Sequence, residues 1–221
     1  MEFLNHDIRL AILDLDGTLF DSTGLWADID TKFFARRGME VPPGYGQSIV
    51  HIGLAAGAEY TQRLYLPNED KDDILAEWNS MSQIAYEEEI PAKPYSKELL
   101  ETLHDKGVLL TLATANNPSL YMPALKRLGL LAYFEFMADP TVCPSGKEGG
   151  ALFHYVAEHY GLAPENILIV EDSLRPILAA KSGGYLTVGV YDEHSCSDIE
   201  KHQKECDLFC RDLQELIAAI E

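Results

Sequence analysis

Short apolar runs alternate with amphipathic segments along most of the chain. Five runs have the length and flanking residues typical of buried parallel strands: Ile8–Leu13, Val108–Ala113, Tyr133–Ala138, Ile167–Val170 and Tyr185–Val190. Segments with helical spacing of apolar residues follow them: Ser96–Lys106, Pro118–Leu128, Glu148–Tyr160, Ser173–Lys181 and Arg211–Ile220. Because strands and helices of these lengths alternate, the sequence predicts an α/β fold with a doubly wound parallel sheet.

One long stretch interrupts this alternation. Residues 22–90 show helical patterns and little sign of strands, for example in the four-residue spacing of Leu25 and Ile29. We therefore expect a core made of residues 1–21 and 91–221, with a helical domain inserted between them. An insertion after the first strand would lie over the carboxyl ends of the strands, where α/β sheets bind their ligands.

The charge balance is strongly acidic. Seventeen Lys and Arg residues stand against 36 Asp and Glu, which gives a formal net charge of −19. Such a chain repels nucleic-acid backbones and anionic membrane surfaces, so we expect neither as a partner. The excess of carboxylates favours solubility, and some of them could hold a divalent cation. An anionic substrate would need local positive charge to overcome the overall field.

Targeting signals and cysteine usage favour a reducing cytoplasm. The N-terminal residues show neither a basic region nor a cleavage pattern, and no apolar run reaches the roughly 18 residues that span a bilayer. The cysteines Cys143, Cys196, Cys206 and Cys210 form no Cys-x-x-Cys pair. The spacing of His202 and Cys206 fits a zinc site on a helix, although a structural or surface thiol is the favoured interpretation. We expect a cytoplasmic monomer.

The first strand runs into Asp14-Leu15-Asp16-Gly17-Thr18-Leu19. Two carboxylates two residues apart in an extended segment point the same way, and they repel unless a cation or a proton lies between them. Gly17 then allows a turn that a side chain would obstruct. This combination, directly after a buried strand, predicts a site rather than an ordinary solvated strand end.

The segment Asp14–Ser22 resembles the first motif of the haloacid dehalogenase-like phosphohydrolases. The other three motifs of that family find counterparts in order, in Leu112–Asn116, Ser145–Glu148 and Val170–Ser173. Together they span residues 14 to 173. The resemblance implies a Rossmann-like core with an inserted α-helical cap domain, of the branch that includes phosphoglycolate phosphatases and β-phosphoglucomutases.

The resemblance also implies roles for the acids. Asp14 matches the nucleophile that forms a phosphoaspartate, and Asp16 matches the general acid and base. Asp14, the backbone carbonyl of Asp16 and Asp172 match the ligands of Mg²⁺, whose preference for hard oxygen donors suits them. Glu171 is expected just outside the ligands, where it would position metal-bound waters.

The remaining matched residues are expected to hold the phosphoryl group. Thr114 and the amide of Ala115 would bind phosphoryl oxygens, and Asn116 would fix either the loop or the phosphate. Lys147, expected at the start of a helix, would bridge the nucleophile and the phosphoryl group. Two positions depart from the usual pattern: Glu148 stands where many relatives have Pro, and Arg175 lies where a Gly-Ile pair is common.

The sequence thus predicts a Mg²⁺-dependent phosphatase acting on a small phosphorylated metabolite. The alternative is a phosphosugar mutase of the β-phosphoglucomutase type. Those enzymes carry a His at the position of Trp26, and its absence here argues against a mutase. Asp16 argues against a halide-removing enzyme, and an imine-forming Lys32 would be needed for a phosphonate-cleaving one. Insertion residues that could face the site are Trp26, Lys32, Arg36, Arg63 and the loop around His51-Ile52-Gly53. For Trp26, as for Ile29 and Phe33, a place in the core of the insertion is the favoured expectation.

Overall fold

Two compact units make up the chain. The computed structural model describes residues 1–49, 54–195 and 199–221. One unit, the core, comprises residues 1–23 and 90–221, and the other, the helical insertion, comprises residues 24–89. The boundaries expected from the sequence, after residues 21 and 90, lie within two residues of these.

A six-stranded parallel sheet forms the centre of the core. The strands of the chain are β1 (Glu2–Phe3), β2 (His6–Asp7), β3 (Leu10–Leu13), β4 (Leu109–Ala113), β5 (Phe136–Ala138), β6 (Ile167–Glu171), β7 (Leu186–Val190) and β8 (Leu208–Cys210). The sheet has the spatial order β5-β4-β3-β6-β7-β8, and every neighbouring pair in it is parallel. The expected doubly wound parallel α/β fold is confirmed.

Helices follow most strands and fill the insertion. They are α1 (Leu25–Ala35), α2 (Tyr45–Ile49), α3 (Leu54–Tyr65), α4 (Lys71–Ile84), α5 (Ser96–Asp105), α6 (Pro118–Arg127), α7 (Ala151–Tyr160), α8 (Leu174–Ser182), α9 (Ile199–Glu205) and α10 (Leu213–Ile220). The first four belong to the helical insertion and the rest to the core. A π-helical turn, Ala85–Glu89, continues α4 to the end of the insertion.

The register of the central strands determines which residues meet. Leu13, the last residue of β3, lies opposite Leu112 of β4 and Val170 of β6. All four residues of β3 and all five of β6 are buried, as expected for strands covered on both faces. Because parallel strands end at one edge, the polar residues that follow β3, β4 and β6 emerge side by side.

The sequence pattern missed the short elements. Strand β8 contains three residues and helix α9 seven, too few to give a recognisable periodicity. The hairpin of β1 and β2 is closed by Leu4 and Asn5, both with positive φ, a two-residue turn that is unusual without glycine. Strand β5 is also shorter than expected, because Leu131–Tyr133 forms a 3₁₀ turn before it.

Aromatic rings form the core of the helical insertion. Phe33 contacts Trp78 with ring centroids 5.5 Å apart, and Phe34 contacts Tyr45 at 4.8 Å, both edge to face. The guanidinium of Arg37 lies 3.8 Å from the centroid of the Phe33 ring and also pairs with Glu69. These contacts join helices α1, α2 and α4 into one packed cluster.

The expectation for Trp26 was wrong. Ile29 and Phe33 are buried as expected, but the Trp26 side chain is 39% exposed. Trp26 lies one residue after Leu25, so the helix turns it away from the face that Leu25 and Ile29 bury. The loop His51-Ile52-Gly53 lies outside the described residues.

The structure gives no support to a zinc site at His202 and Cys206. Among the described residues, one group of three or more side chains could hold a metal ion, and it consists of Asp14, Glu171 and Asp172. The Cys206 thiol donates to the backbone carbonyl of His202, 3.1 Å away, and both residues are buried. Cys143 and Cys210 are also free thiols, and Cys196 falls outside the described residues. The favoured interpretation, structural thiols, therefore fits the buried pair Cys206 and Cys210.

Within the described residues, no helix has both the length and the apolar character needed to cross a membrane.

Asp30 provides a test of packing in the helical insertion. Its side chain is buried in α1, and this burial raises its pKa from 3.8 to about 6. A folded-state pKa above the unfolded one means that the associated stability is present at low pH and is lost as pH rises through about 6. We expect Asp30→Asn to stabilise the protein by about 1–3 kcal/mol at pH 7.5 and to change little at pH 4. Urea unfolding of both proteins at the two pH values measures this, with exposed Asp28→Asn on the same helix as the control. A destabilised Asp30→Asn protein at pH 7.5 would contradict it.

Candidate active site

Four polar residues emerge together where the central strands end. Asp14 follows β3, Thr114 follows β4, and Glu171 and Asp172 end and follow β6. Each is at most 4% exposed. The Asp14 amide donates to the Val170 carbonyl at 2.9 Å, which continues the pairing of β3 and β6 by one residue. The sheet register therefore places the first, second and fourth motifs at one edge.

A tight turn after β3 packs closely against Asp172. The Leu15 carbonyl accepts from the amides of Leu19 and Phe20 at 2.9 and 2.8 Å, which closes the turn. Gly17 has φ +89°, and a Cβ there would overlap the Asp172 carboxylate. Only glycine fits both the backbone conformation and the space.

Three carboxylates form one cluster at this edge. Asp14, Glu171 and Asp172 each offer an oxygen, and these oxygens all lie within 4.8 Å of one another. The Thr18 hydroxyl lies 3.1 Å from Asp14 Oδ2 and 3.4 Å from Asp172 Oδ1, so it bridges the first and fourth motifs. We call Asp14, Glu171 and Asp172 the acid cluster.

Lys147 is the cation at the acid cluster. Its ammonium donates to Asp14 Oδ1 and lies 3.1 Å from Glu171 Oε2, and its side chain is only 13% exposed. The expectation that Lys147 opens a helix was wrong, because α7 begins at Ala151. Gly150, with φ +81°, ends a loop instead, and the Gly149-Gly150 pair disfavours a helix through Glu148.

Burial and crowding shift the ionisation of the acid cluster. Burial, together with the neighbouring Asp14 carboxylate, raises the pKa of Asp172 to about 8. The same two causes raise the pKa of Glu171 well above its usual range, although Lys147 lowers it. Burial lowers the pKa of Lys147, but Asp14 and Glu171 raise it more, so its pKa lies above the ordinary value. One ammonium is therefore too little positive charge for three ionised carboxylates.

The acid cluster fits a divalent cation. Its donors are carboxylate oxygens only, the set that hard cations prefer. Glu171 Oε1 is buried, and among the described residues it has no aligned hydrogen-bond donor, although the Lys147 ammonium lies 3.1 Å away as an ion-pair partner. A bound dication would remove the repulsion that keeps a proton on Asp172.

Asp16 points to different partners. Its Oδ1 accepts from the Ser22 hydroxyl and its Oδ2 from the Asn116 side-chain amide, each at 2.7 Å. The Asn116 backbone amide in turn donates to Thr114 Oγ1 at 3.1 Å. The structure thus places Asn116 on Asp16, while Ala115 is exposed between Thr114 and Asn116. The contact of Asn116 with Asp16 was missed, because spacing along the chain gives no signal for a contact 100 residues apart. The contact of Ser22, only six residues from Asp16, was missed although Ser22 belongs to the first motif.

The loop that carries Lys147 begins at Asp139. This buried carboxylate accepts from the Tyr121 hydroxyl at 2.6 Å and from the Thr141 amide at 2.8 Å. The Asp139 carbonyl accepts from the amides of Val142 and Cys143. Asp139 follows β5 just as Asp14 follows β3, and that strand-end position was the signal that could have found it.

The two departures from the family pattern contact each other. Arg175 Nη1 lies 3.3 Å from Glu148 Oε2, and both side chains are highly exposed. An exposed pair of this kind contributes little to stability. It joins the loop of Lys147 to the start of α8, which begins two residues after Asp172.

Comparison with known proteins agrees with this geometry. The model of the haloacid dehalogenase-like hydrolase family matches residues 8–184, a range that contains all four motifs. The chain belongs to the haloacid dehalogenase-like hydrolase family. A phosphoglycolate phosphatase of Neisseria gonorrhoeae is 30% identical over 191 residues, which cover 83% of this chain and 80% of that protein. Homologues of this kind support a phosphatase activity.

Solved structures share the fold of this haloacid dehalogenase-like hydrolase. A Thermotoga maritima protein assigned as a β-phosphoglucomutase is 22% identical, with a TM-score of 0.82 over 96% of this chain and 98% of that one. A predicted phosphoglycolate phosphatase from Haemophilus somnus is also 22% identical, with a TM-score of 0.78 over 97% of this chain and 99% of that one. They confirm a Rossmann-like core with a helical cap as the fold.

Metal addition tests the acid cluster. In the metal-free protein the raised pKa of Asp172, about 8 against 3.8, means that stability falls as pH rises through this window. We expect Mg²⁺ to raise the unfolding temperature, and more at pH 8 than at pH 6, because protons compete with the cation. Asp172→Asn should remove most of that increase. Scanning calorimetry with and without Mg²⁺ checks this. An unfolding temperature that Mg²⁺ leaves unchanged at both pH values would contradict it.

Proposed function

We propose that this haloacid dehalogenase-like phosphatase hydrolyses small phosphomonoesters with Mg²⁺, through a phosphoaspartate at Asp14. The observation that carries the proposal is the contact of the Lys147 ammonium with Asp14 inside the acid cluster. The fixed ammonium beside this buried carboxylate would offset part of the charge repulsion when the carboxylate approaches an anionic phosphate.

Asp14 would make the new bond to phosphorus. One carboxylate oxygen attacks, the bond from phosphorus to the ester oxygen breaks, and the electron pair leaves with that oxygen. Asp16 would donate the proton that the leaving oxygen needs. In the second half, Asp16 would accept a proton from water as the water oxygen attacks phosphorus and releases Asp14.

Ser22 and Asn116 support this role for Asp16. Each donates to one of its carboxylate oxygens at 2.7 Å, so the carboxylate is held in one orientation. A carboxylate held in one orientation is suited to accept a proton from a positioned water in the second half-reaction.

The phosphoryl group would be held on three sides. The Thr114 hydroxyl and the Ala115 amide lie at the end of β4 and would bind phosphoryl oxygens, and Lys147 would bind another. A Mg²⁺ ion held by Asp14, Asp172 and the Asp16 carbonyl would offset negative charge on the phosphoryl group. Glu171 would hold the waters that complete its coordination.

The substrate proposed is a small phosphorylated metabolite. Curated relatives named phosphoglycolate phosphatase, with 27–30% identity, support a compact phosphate ester. A mutase is less favoured, since Trp26 replaces the His expected there. Imine chemistry at Lys32 is also not supported, because that amine lies 3.2 Å from Glu89 and is exposed.

A phosphate-release assay tests the proposal. We expect wild-type protein to release phosphate from small phosphomonoesters, and a chelator to abolish this release. Asp14→Asn should lower kcat at least about a thousandfold, as removal of a nucleophile does. Asp16→Asn should lose much activity on alkyl phosphates but less on p-nitrophenyl phosphate, whose leaving group needs no proton.

Exposed Asp21→Asn, in the same motif, is the matched control and should keep wild-type kcat. Full activity in Asp14→Asn would overturn the nucleophile assignment. Conversion of a sugar 1-phosphate into its 6-phosphate, without release of phosphate, would favour the mutase instead.

A further inference from the structure

The chain passes twice between the core and the helical insertion, and the two crossings are joined within the core. The outgoing segment is residues 19–23 and the returning one is residues 90–93, which we call the two connections. Phe20 pairs with Ala92 in an antiparallel bridge. The Asp21 amide donates to the Pro91 carbonyl at 3.1 Å, and the Lys93 amide to the Leu19 carbonyl at 2.8 Å.

A single carboxylate, on Asp192, holds both connections. Asp192 lies two residues after β7 and is 4% exposed. The Thr23 hydroxyl donates to its Oδ1 at 2.8 Å, and the Lys93 ammonium lies 2.8 Å from its Oδ2. Thr23 belongs to the outgoing connection and Lys93 to the returning one. Asp192 therefore fixes both of them relative to the end of β7.

The same carboxylate orders the loop after β7. The amides of His194 and Ser195 donate to Asp192 Oδ1 at 3.0 and 3.1 Å. The Ser195 hydroxyl lies 3.3 Å from the same Asp192 Oδ1, and hydrogen bonding by Ser195 also lowers the pKa of the Asp172 carboxylate against the larger effect of burial. Ser195 thus links Asp192 to Asp172, a member of the acid cluster.

On its other side, Asp192 is linked to Asp16. Thr23, which it holds, directly follows Ser22, and the Ser22 hydroxyl donates to Asp16 Oδ1 at 2.7 Å. The methyl group of Thr23 also lies next to Gly17, in the turn that carries Asp16. The Asp192 carboxylate is therefore linked both to the segment that holds Asp16 and to the Ser195 loop next to Asp172.

Stability alone is a weak reason for this arrangement. The Lys93 side chain is 14% exposed and that of Asp192 only 4%, and desolvating such a pair offsets much of its attraction. Although burial raises the pKa of Asp192, hydrogen bonds from Lys93 and Thr23 lower it overall, so the group is ionised at neutral pH. A buried ion pair of this kind fixes the positions of its two side chains and adds little to the free energy of unfolding.

We propose that Asp192 is a positioning residue of the phosphatase site, which holds the two connections and the Ser195 loop so that Asp16 and Asp172 face the same point. It touches neither the reacting atoms nor the proposed metal. This inference rests on the proposed function for its effect on turnover, but its effect on Mg²⁺ binding does not require turnover.

The test compares Asp192→Asn with wild type in kcat, KM and Mg²⁺ affinity. We expect kcat to fall by about ten- to a hundredfold, because small displacements of catalytic groups cost that much. The affinity for Mg²⁺, measured by titration calorimetry without substrate, should weaken by about tenfold. KM should stay within about threefold of the wild-type value, because the proposed phosphate ligands, Thr114 and Lys147, do not depend on Asp192 for their position.

Two smaller changes protect the test against a folding defect. Thr23→Val removes the hydroxyl with little change of volume, and it should shift kcat and Mg²⁺ affinity in the same direction. Thr23→Ser keeps the hydroxyl and should restore both to within about twofold of wild type.

Asp207→Asn is the matched control. Asp207 lies beside the amino end of β7 and accepts from the Thr187 amide and hydroxyl, each at 2.8 Å. Its loss should lower the unfolding temperature and leave kcat and Mg²⁺ affinity unchanged.

The proposal is overturned if Asp192→Asn and Thr23→Val lower only the unfolding temperature, as the control does. It is also overturned if KM rises while kcat and Mg²⁺ affinity stay at wild-type values. If wild-type protein releases no phosphate from any ester, the proposed function fails instead. The calorimetric comparison of Mg²⁺ affinity then decides the role of Asp192 by itself.

Discussion

Mutual repulsion among Asp14, Glu171 and Asp172 is the constraint on which the rest of the site depends. Their oxygens lie within 4.8 Å of one another in a buried setting, and Lys147 supplies only one positive charge. Such a cluster is unfavourable by itself, so the surrounding fold must hold it together. The raised pKa of Asp172 shows this cost, and a divalent cation would relieve it. The arrangement that makes the metal-free protein less stable is therefore the one that prepares a site for a metal and a phosphate.

The fold meets this constraint through the sheet. Strands β3 and β6 are buried neighbours, and their register brings Asp14 level with Glu171, one residue before Asp172. Residue 17, where a side chain would overlap the Asp172 carboxylate, is glycine. Lys147 arrives on a loop rather than on a helix, and the buried carboxylate of Asp139 fixes where that loop begins. Charged groups in the site are thus held by backbone pairing and short polar contacts.

The parts that could be predicted from the sequence are those with local signals. Apolar runs identified the central strands, and the motif at Asp14 lay directly after one of them. Supporting residues lack such signals. Nothing in the neighbourhood of Asn116 indicates that its amide reaches Asp16, and Asp192 follows an ordinary strand. Trp26 was misplaced because a spacing of four marks a helix without saying where the buried face ends. The start of α7 was misplaced because the apolar spacing from Leu152 onward marks the helix without marking its first residue, and the Gly149-Gly150 pair just before it disfavours helix.

The most direct test of the account is to trap the covalent intermediate. Wild-type protein turning over a phosphomonoester with Mg²⁺ is quenched in acid, treated with borohydride and digested for mass spectrometry. Borohydride reduces an aspartyl phosphate to homoserine, so the account predicts homoserine at position 14, and none there when a chelator is present. Homoserine at another aspartate, or steady turnover with position 14 always intact, would contradict it.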